Sequence, residues 1–189
     1  MGLRFEGTNE IDVPDNGQFD WELGDEFSIE YWMRSTSDCN GGDGRQGLTH
    51  PKPHMWTECT GGPGVQGLAV FALIDVDGGR GEDSSDNWPR SNSPVTDGEW
   101  HHIVTVKTKT HIHLCVDGIK SSVAKTYTAG FASTTPLNIG YLKLGDGFHY
   151  NGDLDEVAYY SKALTDEEVM EHFDRGRMLG EGYCDKRRR

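Results

Sequence analysis

The amino-acid sequence predicts an all-β sandwich of antiparallel strands followed by one short helix. Short apolar stretches recur along the 189 residues and are separated by turn-forming residues. Asp117-Gly118 is a two-residue hairpin signal of the type that requires positive φ. Because many short strands precede a single late helix, a sandwich is favoured over alternating βαβ units.

The strand pattern is clearest where apolar and polar residues alternate. Ile112, Leu114 and Val116 would face one side of a strand, and His111, His113 and Cys115 the other. This alternation is typical of antiparallel strands with one buried face. The predicted strands are residues 3–5, 11–13, 27–33, 68–75, 101–107, 111–116, 137–140 and 154–160.

One helix is predicted, from residue 165 to about residue 173. Thr165 and Glu168 have the spacing of a capping box, in which each side chain bonds to the other residue's backbone N–H. Leu164, Val169 and Phe173 can share one face of this helix. The helix is therefore expected to pack on the sandwich.

Two polar stretches interrupt the strand pattern, at about 37–67 and 77–96. Both are rich in Gly, Pro, Asn, Asp and Ser, and loops of this length inside a compact domain are usually either functional or disordered. We interpret them as loop inserts within one domain of residues 1–180. Residues 181–189 then form a basic C-terminal tail, to which we assign no function.

Charge and hydropathy exclude two classes of partner. The chain has 18 Lys and Arg against 31 Asp and Glu, for a net charge of −13. A nucleic-acid phosphate backbone would be repelled by most of this surface. No apolar stretch approaches the roughly 20 residues that span a bilayer, so no membrane insertion is expected.

Six segments resemble, in their order, the laminin G-like domains of the concanavalin A-like class. The segments are LRFEG (3–7), FSIEYWM (27–33), DGEWHHI (97–103), LCVDG (114–118), LNIG (137–140), and GDLDEVAYY (152–160) with ALTDEEV (163–169). The resemblance implies a two-sheet antiparallel jelly roll, with one concave and one convex sheet. Lectins, adhesion modules, virion surface proteins and some glycoside hydrolases have this fold, so the fold does not select among these functions.

The resemblance also implies a structural calcium ion held by acidic residues of the first and last strands. Glu6 and Asp155 occupy those places in this sequence. Ca²⁺ takes about 6–8 oxygen ligands, so backbone carbonyls and waters would complete the site. The alternative is that both are ordinary surface carboxylates.

Two tryptophans lie in the polar inserts and are candidates for sugar contact. An exposed aromatic face can stack on a sugar ring while neighbouring polar groups supply hydrogen bonds. The alternative is that each tryptophan anchors its own loop. The candidate ligand-binding residues are Trp56, Trp88, Asn87, Arg90, His54 and Glu58.

The four cysteines have no CxxC spacing, which argues against a zinc knuckle or a thioredoxin-type site. Disulfides are favoured, and with them a secreted location. Cys39 with Cys59 is the preferred pair because the two residues bracket a Gly- and Pro-rich insert, and Cys115 would then pair with Cys184. The alternative is four reduced thiols in an intracellular protein.

These observations predict a noncatalytic carbohydrate-binding or adhesion module. It would be calcium-stabilised, recognise a glycan or glycoprotein through its long loops, and lie at an extracellular, cell or virion surface. One alternative is a structural surface protein, a virion decoration or filament subunit that self-associates through Trp56 and Trp88. A second is a polysaccharide-degrading enzyme, although the sequence lacks the Glu-x-Asp-x-x-Glu string of laminarinase-like hydrolases.

Overall fold

The computed structural model describes residues 2–22, 24–36, 45–50, 54–58, 67–72, 88–122, 124–126, 134, 136–141 and 148–179. Within these ranges the chain forms strands and one C-terminal helix. The elements are β1 (Leu3–Glu6), β2 (Ile11–Val13), β3 (Phe27–Arg34), β4 (Arg45–His50), β5 (His54–Glu58), β6 (Ala69–Ala72), β7 (His101–Lys107), β8 (His111–Val116), β9 (Ile119–Lys120), β10 (Lys125–Thr126), β11 (Leu137–Ile139), β12 (Asn151–Tyr160) and α1 (Asp166–Leu179).

The strands form two antiparallel sheets. Sheet A has seven strands in the order β1-β12-β3-β7-β8-β10, and β9 also pairs with β8. Sheet B has five strands in the order β2-β11-β4-β5-β6. Strands that are distant in sequence pair in both sheets, as expected for a jelly roll. The predicted all-β sandwich is confirmed.

The main core lies between the two sheets. Alternate residues of β3 point into it because successive side chains of a strand face opposite sides. Phe27, Ile29 and Met33 are fully buried there and pack with Met55 and Phe71 of sheet B. Burial of large apolar side chains from both sheets stabilises the sandwich by about 1.5–3 kcal/mol for each side chain.

Helix α1 packs on the face of sheet A that points away from the main core. The capping box is confirmed, since Glu168 Oε2 accepts a hydrogen bond from Thr165 N at 3.0 Å and Thr165 Oγ1 accepts one from Glu168 N at 3.2 Å. Leu164 and Val169 are buried against Val104 of sheet A. The helix continues six residues past the predicted end, to Leu179. Among the described residues, no helix has both the length and the apolar character needed to cross a membrane.

The predicted hairpin at Asp117-Gly118 is confirmed. Both residues have positive φ, 53° and 80°, and they connect β8 with β9. The carboxylate of Asp117 accepts a hydrogen bond from the backbone N of His102 at 2.9 Å and lies 2.8 Å from Nδ1 of His101. The turn therefore also fixes the start of β7.

The prediction of a loop insert at about 37–67 is wrong for residues 45–50 and 54–58, which form β4 and β5. Both are interior strands of sheet B: β4 pairs with β11 and β5, and β5 pairs with β6. Strand β5 contains His54, Thr57 and Glu58, and these polar residues concealed a strand that is buried on both faces. Polar composition therefore indicated a loop where the chain forms part of the sandwich.

The predicted Cys115–Cys184 disulfide is also wrong. Cys115 is a free, buried cysteine whose side chain packs with Val104, Val106 and Val169 beneath α1. Burial raises the pKa of its thiol to about 11, so the thiol stays protonated at neutral pH. The other three predicted disulfide residues, Cys39, Cys59 and Cys184, lie outside the described residues.

Candidate functional site

Most of the predicted ligand-binding residues come together on sheet B. Strand β5 directs Met55 into the main core, so His54, Trp56 and Glu58 face the opposite side of the sheet. These three side chains are almost completely buried, at 2%, 1% and 1% exposure. Asn87 lies outside the described residues.

The chain at residues 88–91 lies along β6 and extends this face. Phe71 N donates to Pro89 O at 3.2 Å, and Ser91 N donates to Ala69 O at 2.9 Å. An antiparallel bridge joins Val70 to Arg90 between them. Since strand side chains alternate, Trp88 and Arg90 lie on the same face as Val70.

The two tryptophans pack against each other on this face. Their ring centroids are 5.1 Å apart with the planes perpendicular, and Val70 completes the apolar cluster. The guanidinium of Arg90 lies 5.6 Å from the centre of the Trp88 ring, and its Nη1 donates to Trp88 O at 3.4 Å. Arg90 is half-buried and reaches solvent. We call this set the sheet B patch: His54, Trp56, Glu58, Val70, Trp88 and Arg90.

The expectation of exposed sugar-stacking tryptophans is wrong. Trp56 is 1% exposed and Trp88 is 6% exposed, and the two rings pack against each other and Val70. Trp88 anchors residues 88–91 on sheet B, as in the alternative interpretation, whereas Trp56 belongs to strand β5 and not to a loop. The same burial contradicts subunit association through these two rings.

The two predicted calcium ligands do not come together. Glu6 pairs with Asn151 in the β1–β12 register, so Asp155 lies four residues further along β12. At about 3.4 Å per residue, the two positions are about 14 Å apart along the strands. Strand side chains stand roughly perpendicular to the sheet, so the two carboxylates do not converge.

A pair of arginines lies between these two positions. The carboxylate of Asp153 is 2.8 Å from Arg34 and 3.6 Å from Arg4, both exposed cations on the same stretch of sheet A. A calcium ion shared by Glu6 and Asp155 is therefore incompatible with this register. Among the described residues, no group of three or more His, Cys, Asp or Glu side chains is placed to hold a metal ion.

A second candidate site, not predicted from the sequence, is a cleft of about 250 Å³ between sheet A and α1. Its floor is formed by β3 and β7, one wall by β12 and the other by α1. We call it the sheet A cleft. It is lined by Glu30, Trp32, His102, Glu156, Val157, Ala158, Tyr160 and His172.

The carboxylate of Glu30 is the hub of this cleft. Tyr160 donates its hydroxyl to Oε1 at 2.6 Å, while Nδ1 of His172 lies 2.8 Å and Nε2 of His102 lies 3.5 Å from Oε2. Burial raises the pKa of Glu30, but the hydrogen bonds from these three side chains outweigh it and lower the pKa to about 2. Glu30 is therefore ionised at neutral pH and joins α1 to two strands.

Trp32 forms the aromatic part of the cleft. Its ring stacks on those of His102 and Phe173, at centroid distances of 5.0 and 5.8 Å. Helix α1 can lie against the Trp32 ring because residue 176 is glycine. A Cβ at that position would lie 2.4 Å from the ring. The Trp32 ring is half-buried at the cleft.

Comparison with known proteins identifies the fold. The sequence model of the concanavalin A-like lectin/glucanase superfamily (Laminin_G_3) matches residues 5–170. No curated protein matches the sequence at a significant level.

Several solved structures are similar to this one. The binding domain of Paraclostridial Mosquitocidal Protein 1 shares 16% identity with a TM-score of 0.66, over 90% of this chain and 42% of that chain. Domain 4 of AbnA, a GH43 extracellular arabinanase from Geobacillus stearothermophilus in complex with arabinotriose, shares 16% identity with a TM-score of 0.62, over 90% of this chain and 75% of that chain. The botulinum neurotoxin serotype D ligand-binding domain in complex with N-acetylneuraminic acid shares 11% identity with a TM-score of 0.60, over 89% of this chain and 40% of that chain. This chain thus spans less than half of either toxin chain, and at these identities the likeness is one of fold.

Proposed function

The chain belongs to the concanavalin A-like lectin/glucanase superfamily, and on this premise we propose that it is a noncatalytic carbohydrate-binding module. Two structures of the same fold were determined with a sugar bound, arabinotriose in one and N-acetylneuraminic acid in the other. We propose an extracellular, cell-surface or virion-surface location, with a glycan or glycoprotein as the partner.

The observation that supports the proposal is the sheet B patch with Arg90 at its solvent side. Sugar sites combine aromatic side chains with a few fixed polar groups, and the patch contains both. In this proposal the buried tryptophans hold Arg90 in place, and its guanidinium donates hydrogen bonds to sugar oxygens.

Arg90→Ala should weaken glycan binding at least tenfold. Hydrogen bonds from a charged group contribute about 1.5–3 kcal/mol, and tenfold corresponds to about 1.4 kcal/mol. Binding is measured on a panel of immobilised polysaccharides and glycans that includes arabinotriose and N-acetylneuraminic acid. Arg177→Ala is the matched control, because Arg177 also lies over an aromatic ring, at 5.5 Å from the centre of Phe173, but on α1.

Three results of that experiment would count against the proposal. Equal glycan binding by the wild type and Arg90→Ala would remove the sheet B patch as the site. No saturable binding to any glycan, with self-association seen in light scattering, would favour the structural surface role instead. Release of new reducing ends from a bound polysaccharide would show catalysis.

Calcium stabilisation remains a separate prediction, tested by melting the protein with calcium and with chelator. A bound ion raises the melting temperature by mass action. Because Glu6 and Asp155 are too far apart to share one ion, at most one of Glu6→Gln and Asp155→Asn should abolish such a rise. Loss of the rise in both single variants would contradict the β1–β12 register described above.

A further inference from the structure

We propose that the sheet A cleft is a second binding site, which takes a small organic ammonium ion. The described residues that line it supply two carboxylates, Glu30 and Glu156, and the aromatic rings of Trp32 and Tyr160, with neither lysine nor arginine among them. Aromatic faces and carboxylates together are the chemistry that binds ammonium groups. The cleft lies on the opposite sheet from the sheet B patch, so this inference does not rest on the carbohydrate function.

The cleft presents hydrogen-bond acceptors to a ligand. Ionised Glu30 accepts only, so the facing Nε2 of His102 must be its donor. In neutral His102 the other ring nitrogen, Nδ1, is then an acceptor. His102 is 1% exposed, and this Nδ1 has no hydrogen-bond partner among the described residues. A buried acceptor without a partner costs free energy, and an ammonium N–H would supply the missing donor.

The second carboxylate belongs to a residue in an unusual backbone conformation. The β12–β3 register shifts between Asp155 and Ala158, so β12 has a bulge there, and Glu156 within it has a φ of 51°. Such bulge positions usually hold glycine, because a side chain is strained in this conformation. The bulge turns Glu156 into the lining of the cleft.

Size and charge restrict the ligand further. A volume of about 250 Å³ lies below the range of about 300–1,000 Å³ that is typical for drug-sized ligands. The cleft therefore fits a ligand of about one ring. The net charge of −13 raises the local concentration of cations around the protein.

The test compares two molecules of one shape and different charge. Cyclohexylamine, a cation at pH 7, is titrated against the full chain by calorimetry and by NMR of the His102 and His172 ring protons, and cyclohexanol is the uncharged match. Glu156→Gln removes the charge and Glu156→Gly removes the side chain and the backbone strain. Glu30 is left intact because it anchors α1. Glu171→Gln, which removes an exposed acid from α1, is the control for general electrostatics.

We expect saturable binding of cyclohexylamine with shifts of both histidine signals, and at least tenfold weaker binding of cyclohexanol. Both Glu156 variants should weaken cyclohexylamine binding about tenfold. The melting temperature of Glu156→Gly should be unchanged or raised, because the backbone strain is removed. Glu171→Gln should bind cyclohexylamine like the wild type. The proposal is overturned if cyclohexylamine does not bind, if cyclohexanol binds equally well, or if Glu156→Gly binds cyclohexylamine like the wild type.

Discussion

Trp56→Ala should lower the free energy of unfolding by about 4 kcal/mol, within the range measured for large aromatic residues replaced by alanine in protein cores. Trp56 is 1% exposed and packs edge-to-face on Trp88 beside Val70, so its removal leaves a cavity on sheet B. Urea denaturation measures the loss. Because Trp56 also supports residues 88–91, glycan binding by this variant should fall together with its stability.

Trp100→Ala is the matched control for this prediction. Trp100 is half-buried, with the guanidinium of Arg34 5.1 Å from its ring centre. A ring that already contacts water loses less transfer free energy, so we expect less than half the cost of Trp56→Ala. Equal costs at the two positions would show that Trp56 does not have the packing described. Trp56→Phe should recover part of the stability because the ring partly fills the cavity.

Glu30→Gln should lower the free energy of unfolding by about 2 kcal/mol. The substitution keeps the size of the side chain but removes the negative charge that accepts hydrogen bonds from Tyr160, His172 and His102. Hydrogen bonds to a charged group contribute about 1.5–3 kcal/mol to stability. Chemical denaturation measures the total effect. Hydrogen exchange should become faster in α1, because His172 is one of its attachments to sheet A.

The contribution of Glu30 to the free energy of unfolding should disappear in acid. Its pKa is about 2 in the folded protein against an ordinary value of 4.5, so the ionised form stabilises the fold fully above pH 4.5. As pH falls from 4.5 towards 2, the stability difference between the wild type and Glu30→Gln should shrink. Glu171→Gln, at an exposed position of α1, should change stability by less than about 0.5 kcal/mol at any pH. A difference that stays constant in acid would contradict the charged hydrogen-bond network.

Local patterns in the sequence predicted much of the sandwich. The alternation around Ile112 and Leu114 predicted β8, and the Thr165–Glu168 box marked the start of α1. The prediction of one buried face was wrong for β8, because His113 and Cys115 on its other face are buried as well. Strand β5 was missed for a physical reason. It is buried on both faces, so period-two alternation does not apply, and its polar side chains are typical of a loop in isolation.

The candidate sites were harder to predict, because they depend on contacts between distant segments. His54, Trp56 and Arg90 were identified by residue type and do share one face, yet burial of the tryptophans depends on residues 88–91 pairing with β6. The sheet A cleft joins Glu30, His102 and His172, which come from two strands and the helix. The one local signal was an acidic residue in the middle of the apolar strand β3.

The pairing of β1 with β12 has a consequence for the order in which the protein folds. Leu3 pairs with Leu154, about 150 residues later in the chain, and β12 also separates β1 from β3. Contacts over such separations carry a large loop-closure entropy, and proteins rich in them fold slowly. On the ribosome, β1 must wait for its partner until β12 has emerged, while the apolar side chains of β3 are already synthesised. We therefore expect chaperone assistance to improve the yield of soluble protein, since chaperones limit aggregation during that interval.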